Sequence, residues 1–522
     1  MLQFDVRLRR EHGADLKAQR QIPGERRQLA RGVRQPAEHD SRRQAAGECR
    51  LAACAPQIAH NFTCIAGSIT APKGFKAAAV FCDIKRIGTG KGSEKGAKRD
   101  LALIVSEVPA AVAGMFTTNQ VCAAPVKISA KNAARKSARA IVVNSGNANA
   151  CTGARGMADA KSMTEITAKN LGLSAHEVLV CSTGRIGVPM PMANVKRGIM
   201  SAARLLSGAP ARAREVAEAI MTSDTRRKEI AVEFELGGAR VRLGGICKGA
   251  GMIQPGMSRD GKRPSAGLHA TMLGFITTDA AIEPALLKDA LESAVAQSFN
   301  RITVDGDMST NDTVLILANG LAGNSKIGRA RLRRAEGSEG RGSQKADARL
   351  DGFSPYRDFQ IFQGALNFVT LELAKMIVRD GEGVTRFITL YVHGARTAAG
   401  AEAAARAVAN SALVKTSWFG GDPNWGRVLC ALGYSSARID ETKADVGYSA
   451  AGKRELTFAL RGGQPTRTTL QTLAKITGKP EFDLHIFLHA GSHDCVLYAS
   501  DLTEDYVDFN KGDVSDPKSL GG

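Results

Sequence analysis

Three Gly- and Asn-rich clusters, each placed after an apolar run, are the parts of this sequence best suited to chemistry. Asn144-Ser145-Gly146-Asn147-Ala148-Asn149-Ala150 follows Ala140–Val143, and Ser182-Thr183-Gly184-Arg185-Ile186-Gly187 follows Val178-Leu179-Val180. Lys248-Gly249-Ala250-Gly251-Met252 follows Val241–Ile246. Small residues at strand ends let backbone N–H groups approach a ligand closely. An oxyanion needs such donors, held fixed in a dry site. The competing reading of each cluster is a tight turn. A fourth segment, His269-Ala270-Thr271-Met272-Leu273-Gly274-Phe275-Ile276, has a different potential. If the Ala270–Thr271 bond were cut, Thr271 would carry an α-amine beside its hydroxyl. A free α-amine has a pKa of about 7.7–8.0, so it can act as a base near neutrality. One residue would then supply both nucleophile and base, with no histidine.

Other chemistry-bearing patterns are weaker. His485, His489 and His493 are spaced by four, which on a helix would align three imidazoles. The bulky, β-prone Phe482–Leu488 run predicts a strand instead, on which the three do not converge as metal ligands. No Gly-x-Ser-x-Gly elbow or Walker loop occurs, and Gly88-Thr89-Gly90-Lys91-Gly92 lacks P-loop spacing and reads as a plain loop.

The elements that must position these clusters alternate in type. Asp100–Val105 and Ala140–Val143 read as buried strands, and Met157–Leu171 and Ser201–Met221 as helices. Such alternation predicts a layered α/β architecture. Residues 1–66 are rich in Arg, Gln and Ala without apolar periodicity and are expected to be a disordered extension. Residues 67–397 would form the catalytic α/β domain, interrupted by a basic insertion loop over 325–358. A helix at Ala401–Ala412 opens residues 398–522, expected to be a smaller C-terminal α+β domain. The net charge of +20, from 71 Lys and Arg against 51 Asp and Glu, first suggests nucleic acid. Residues 1–68 contribute +5 of it and residues 325–358 another +4, and no basic run interleaves with aromatics. A solvated surface charge is the better reading, with neither a nucleic-acid nor a membrane partner. Ten cysteines without a Cys-x-x-Cys pair suit reduced thiols and a cytoplasmic protein.

Taken together, the motifs resemble the ornithine acetyltransferase (glutamate N-acetyltransferase) family of arginine biosynthesis. The likeness runs from about Ile69 to Ser515. It includes Phe116-Thr117-Thr118-Asn119, Asn144–Gly153, Ser182–Gly187, Met221-Thr222-Ser223-Asp224-Thr225 and Ala270-Thr271-Met272-Leu273. Further on come Asn311-Asp312-Thr313, Arg379-Asp380-Gly381-Glu382-Gly383, Asp422–Arg427 and Asp501–Val507. The resemblance implies a layered core like that of a self-processing aminopeptidase. It also implies self-cleavage between Ala270 and Thr271, giving an α chain of residues 1–270 and a β chain of residues 271–522, paired as two α and two β chains. Thr271 would be the nucleophile and Thr183 and Gly184 the oxyanion pair. Thr222, Lys248, Thr271, Glu382, Asn510 and Ser515 fall where the family contacts its amino-acid substrate. The implied reaction moves acetyl from N2-acetyl-L-ornithine to L-glutamate. No cofactor is implied, and acetyl-CoA enters only as an alternative acetyl donor. An amidase on the same fold, with water as acceptor, is the rival reading. One departure stands out: 12 residues, Ser258–His269, separate Pro255-Gly256-Met257 from Ala270, where the family runs straight on.

Overall fold

Thr313–Ala318 reads Thr-Val-Leu-Ile-Leu-Ala, with no polar face, and all six residues are buried. Val314 and Ile316 enter one hydrophobic cluster while Leu315 and Leu317 enter another. A strand apolar on both faces must lie between two layers, and the rest of the fold is arranged around that requirement. The computed structural model describes residues 62–89, 98–261, 272–328 and 355–511. Its first sheet takes β1 (Thr63–Cys64), β2 (Phe75–Val80), β3 (Leu101–Phe116), β4 (Ser137–Asn147) and β5 (Val178–Arg185). It adds β6 (Lys228–Leu236), β7 (Ala239–Lys248) and β8 (Leu273–Thr278), and after β9 (Ile302–Thr303) the chain returns as β10 (Thr313–Ala318). The order is β1-β6-β7-β8-β10-β3-β4-β5, with β2 also on β3.

The 16-residue β3 belongs to both halves of this sheet. Its first part pairs with β2 and β4, and its last part with β10. The two halves face each other across one cluster that joins Ile104, Ile141 and Leu179 to Phe275, Leu315 and Ile246. Helices Pro284–Gln297 and Pro355–Arg379 cover the outside of one half, through Leu291, Val295, Leu366, Val369 and Leu373. Helices Gly153–Leu171 and Met192–Arg204 cover the other, through Met163, Val195 and Ile199. The result is a helix–sheet–sheet–helix sandwich, the layered α/β architecture the alternation predicts. Helix Tyr356–Arg379 is the one described helix long and apolar enough to cross a membrane. Its apolar side is spent against the sheet.

A second sheet, ordered β14-β13-β12-β15-β11-β16-β9, follows. It consists of β11 (Phe387–Ala395), β12 (Asp445–Ala450), β13 (Thr457–Arg461), β14 (Gln464–Pro465), β15 (Glu481–Phe487) and β16 (His493–Ser500), closed by β9. Ile388, Leu390, Leu484 and Leu497 pack beneath helices Ala398–Ala409, Ala412–Phe419 and Trp425–Gly433. The three spaced histidines fall on three elements: His485 within β15, His489 in the following turn, and His493 opening β16. His485 stacks on Tyr391 with centroids 4.5 Å apart. Burial, with His393 beside it, holds its pKa at about 4 and keeps the imidazole neutral.

Several boundaries differ from the sequence reading. Ser201–Met221 is not one helix but two, Met192–Arg204 and Pro210–Ala219. Pro210 forces Ala209 into extended backbone, and Ser207 pairs instead with Ala77 at the edge of β2. The helix expected at Ala401–Ala412 is Ala398–Ala409, capped by Thr397, and Ser411 caps a new helix at Ala412. Gly88 and Thr89 end a short helix, Ile84–Thr89. The insertion expected over 325–358 is narrower, because Glu283 N–H donates to Ile327 O (2.9 Å) and Asp358 lies in a helix where it accepts from Gly237 N. Residues 329–354 lie outside the described residues. So do residues 1–61 of the extension, but Phe62–Ala66 do not. Thr63 and Cys64 pair with Glu233 and Val232 on β6, and the Phe62 ring meets Phe368 at 4.8 Å. A chain begun at Gly67 should therefore melt about 1 °C below one begun at Phe62 in a thermal denaturation, because it loses one apolar contact and an edge pairing worth about 1 kcal/mol. Equal melting temperatures would refute this.

Candidate active site

β4 and β5 run parallel, so their polar clusters end at the same side of the sheet, with Ser145 beside Thr183 and Gly146 beside Gly184. Gly184 has φ +128°, and a Cβ there would lie 2.4 Å from the Gly146 carbonyl carbon and 2.6 Å from Asn147 N. Only glycine permits this apposition of two backbones. The asparagines that looked like ligand groups are turned inward to hold the backbone. Asn144 accepts from Ser182 Oγ (2.6 Å) and donates to Asn147 O (2.8 Å). Asn147 donates to Val188 O (3.0 Å) and accepts from Asn149 N (2.8 Å), and Asn149 donates to Gly156 O (2.9 Å). Asn311, from the segment entering β10, donates to Ala148 O (2.7 Å) and Ser182 O (2.8 Å). Their amides build a platform, leaving Thr183 and Gly184 at its rim.

Lys248 ends β7 opposite Leu273, the first residue of β8. Its ammonium is buried and donates to Thr183 Oγ1 at 3.4 Å. Among the described residues no acceptor takes the Thr183 hydroxyl hydrogen. Burial lowers the Lys248 pKa and Asp224 opposes this, so the amine is easier to deprotonate than a surface lysine. The buried carboxylate of Asp224 accepts from Gly249 N (2.7 Å), from Thr222 N (2.9 Å) and from Lys228 Nζ (2.7 Å). Lys228 also pairs with Asp380, whose carboxylate takes the Thr225 and Arg226 N–H groups. Two residues on, Glu382 N–H donates to Ala250 O (3.0 Å), and a Cβ on Gly251 would meet the Glu382 carboxyl at 2.4 Å. Asn510 Nδ2 donates to Glu382 Oε2 (2.9 Å). Its helix, Glu504–Asn510, is capped by Thr503, which bonds Gly383 O (2.7 Å). Thr183, Gly184, Thr222, Lys248, Glu382 and Asn510 are thus linked by one continuous set of contacts. Ala270, Thr271 and Ser515 lie outside the described residues.

Residues 258–261 of the 12-residue insert are described. Ser258 exchanges both backbone hydrogen bonds with Phe116, and Arg259 pairs with Asp289 (2.7 Å) and Glu292. After the undescribed stretch the chain re-enters at Met272, whose N–H donates to Asp312 Oδ1. Asp312 is fully buried, and its Oδ2 has no hydrogen-bond partner among the described residues. Burial raises its carboxyl pKa well above the usual range. Sequence reasoning gave no role to Asp224, Lys228, Asp312 or Asp380. The three aspartates stand inside motifs quoted above without a role of their own, and Lys228 at a strand start reads as a surface residue.

Gly184→Ala should lower stability by about 1–3 kcal/mol in chemical denaturation, since it adds a side chain at positive φ and drives it into backbone. An unaltered midpoint would show that β4 and β5 can part freely there.

The sequence profile described as the ArgJ family matches residues 77–512. A protein of Symbiobacterium thermophilum named arginine biosynthesis bifunctional protein ArgJ is 45% identical over 446 residues, covering 85% of this chain and 98% of its own. A glutamate N-acetyltransferase of Methanocaldococcus jannaschii is 42% identical over 454 residues, covering 85% and 98%. Among solved structures, an ornithine acetyltransferase from Mycobacterium tuberculosis, complexed with ornithine, is 37% identical over 38% of this chain and all of its own, with a TM-score of 0.34. The profile spans well over half of the chain, with each of the linked site residues from Thr183 to Asn510, and on that ground the chain belongs to the ArgJ family.

Proposed function

We propose that this protein moves an acetyl group from N2-acetyl-L-ornithine to L-glutamate in arginine biosynthesis, releasing L-ornithine and N-acetyl-L-glutamate. The observation that carries the reading is the contact of Lys248 Nζ with Thr183 Oγ1, next to Gly184, in a chain of this family. Thr271 Oγ attacks the acetyl carbonyl, and its proton passes to the Thr271 α-amine. The Thr183 hydroxyl and the Gly184 N–H receive the developing oxyanion. Because Lys248 donates to Thr183 Oγ1, the hydroxyl hydrogen is left to point at that oxyanion. The same cation disfavours a protonated amine nearby and so keeps the base free. Ornithine leaves with the proton returned to its nitrogen and the acetyl–Thr271 ester remains; the glutamate amine attacks it, gives its proton to the Thr271 α-amine, and the C–Oγ bond breaks as Thr271 Oγ takes that proton back. Thr222, Lys248, Glu382, Asn510 and Ser515 hold the amino-acid portions, the Glu382 carboxylate facing a substrate ammonium.

The α-amine must first be released. In this reading Thr271 Oγ attacks the Ala270 carbonyl, the acyl group shifts from nitrogen to oxygen, and water hydrolyses the ester to give residues 1–270 and 271–522. The proposal places the enzyme in the cytoplasm as two α and two β chains, with no cofactor, nucleic acid or membrane. Incubation with both substrates should produce ornithine and N-acetylglutamate in equal amounts. Free acetate formed without glutamate would identify a hydrolase instead.

Thr183→Ala should reduce transfer by about 10²–10³ with the fold intact, because one oxyanion donor is lost. Wild-type turnover in that variant would remove Thr183 from the mechanism. Intact-mass analysis should find two chains in the wild type and one in Thr271→Ala, which should form no acetyl-enzyme. An active enzyme that remains a single uncut chain would end this mechanism, since Thr271 would lack its base.

A further inference from the structure

We infer that Lys228 is a positioning residue for the acetyl-transfer site: its buried ammonium ties together the Thr222 turn, the Lys248–Gly249 strand end and the Asp380–Glu382 turn. The inference rests on the proposed function for its assay. Lys228 is 1% exposed and lies between two carboxylates, Asp224 at 2.7 Å and Asp380. Each carboxylate is in turn a clasp on backbone. Asp224 holds Thr222 N and Gly249 N, the residues at and next to two substrate-side positions. Asp380 holds Thr225 N at 3.1 Å and Arg226 N at 3.2 Å, and it sits two residues before Glu382. Without the ammonium, two buried anions would repel one another, and the three segments would share no common tether.

The same cation also sets the surroundings of Lys248. Asp224 acts on both lysines, and Lys228 claims one of its oxygens. Lys248 further faces Glu382, Asp312, Lys85 and the Cys247 thiol, while Lys228 faces Asp224, Asp380 and Cys247. Lys228 therefore opposes the charge on Lys248, and removing it frees Asp224 to favour the Lys248 ammonium. The sign follows: with Lys228 neutralised, Lys248 keeps its proton to higher pH, so an alkaline loss of activity due to Lys248 moves upward.

The test is the double variant Lys228→Met/Asp380→Asn, which removes one charge of each sign and leaves no unpaired ion at Asp380. Steady-state kinetics with N2-acetyl-L-ornithine and L-glutamate should show KM raised about tenfold with kcat within about threefold of wild type. The alkaline limb of kcat/KM should move to higher pH. A folded variant with wild-type KM, or with an unmoved alkaline limb, overturns the inference, because a merely structural ion pair would not shift that limb. If the double variant does not fold, Lys228→Gln/Asp380→Asn restores two donor hydrogens without the charge. Its alkaline limb should still move upward, and an unmoved limb there also overturns the inference. Wild-type enzyme assayed alongside separates the two questions: absence of acetyl transfer in it tells against the proposed function, whereas an active wild type with an unaffected variant tells against Lys228 alone.

Discussion

An ammonium buried between two carboxylates is a demanding arrangement. Taking Lys228, Asp224 and Asp380 out of water costs several kcal/mol per ion, recovered only if every remaining lone pair and proton finds a partner. That condition explains much of the local chain. The leftover acceptor capacity of Asp224 is filled by Thr222 N and Gly249 N, and that of Asp380 by the Thr225 hydroxyl and two N–H groups. The turn at 221–227, the end of β7 and the turn after helix Pro355–Arg379 thus have their places fixed by hydrogen-bond saturation around one cation. Removing one member would leave an uncompensated buried charge, at about 3–5 kcal/mol.

Around that centre, close backbone approach does the rest. Gly184 lets β5 lie against Gly146 and Asn147, Gly251 makes room for the Glu382 carboxyl, and Gly383 sits beneath the start of the Asn510 helix. These three positions hold elements from the first half of the sandwich, from β7 and from the C-terminal segment within hydrogen-bonding reach of one another. Lys248 then needs no more than its own length to touch Thr183.

The layers of this fold were legible because buried strands such as Ala140–Val143 carry no polar face, whereas the helix breaks at Pro210 and Ser411 were missed. Pro210 splits what reads as one Ala-rich helix, a tertiary preference for pairing Ser207 with Ala77 overriding local propensity. The polar clusters were singled out, but not what their asparagines do. A sequence does not say whether Asn144 or Asn147 aims at a ligand or at its own backbone, and here both aim at backbone. Placement after strands drew attention to the Thr183 and Lys248 clusters, but the roles of Thr183, Lys248 and Glu382 came through resemblance. Lys228 was invisible, since its second partner lies 152 residues away and a lysine opening a strand normally faces water.

The strand order has a topological corollary. β8 and β10 lie side by side, flanked by β7 on one edge and by β3 on the other. Were the chain severed between residues 270 and 271, both flanking strands would belong to the first piece and both inner ones to the second. The fragments would interleave like fingers of two hands. Pulling them apart would bare four strand edges and open the two clusters that Val314 and Leu315 enter from opposite faces. A nick at that position would leave the two pieces associated under native conditions, and reassembly from separated pieces would become a second-order encounter between two partly folded chains.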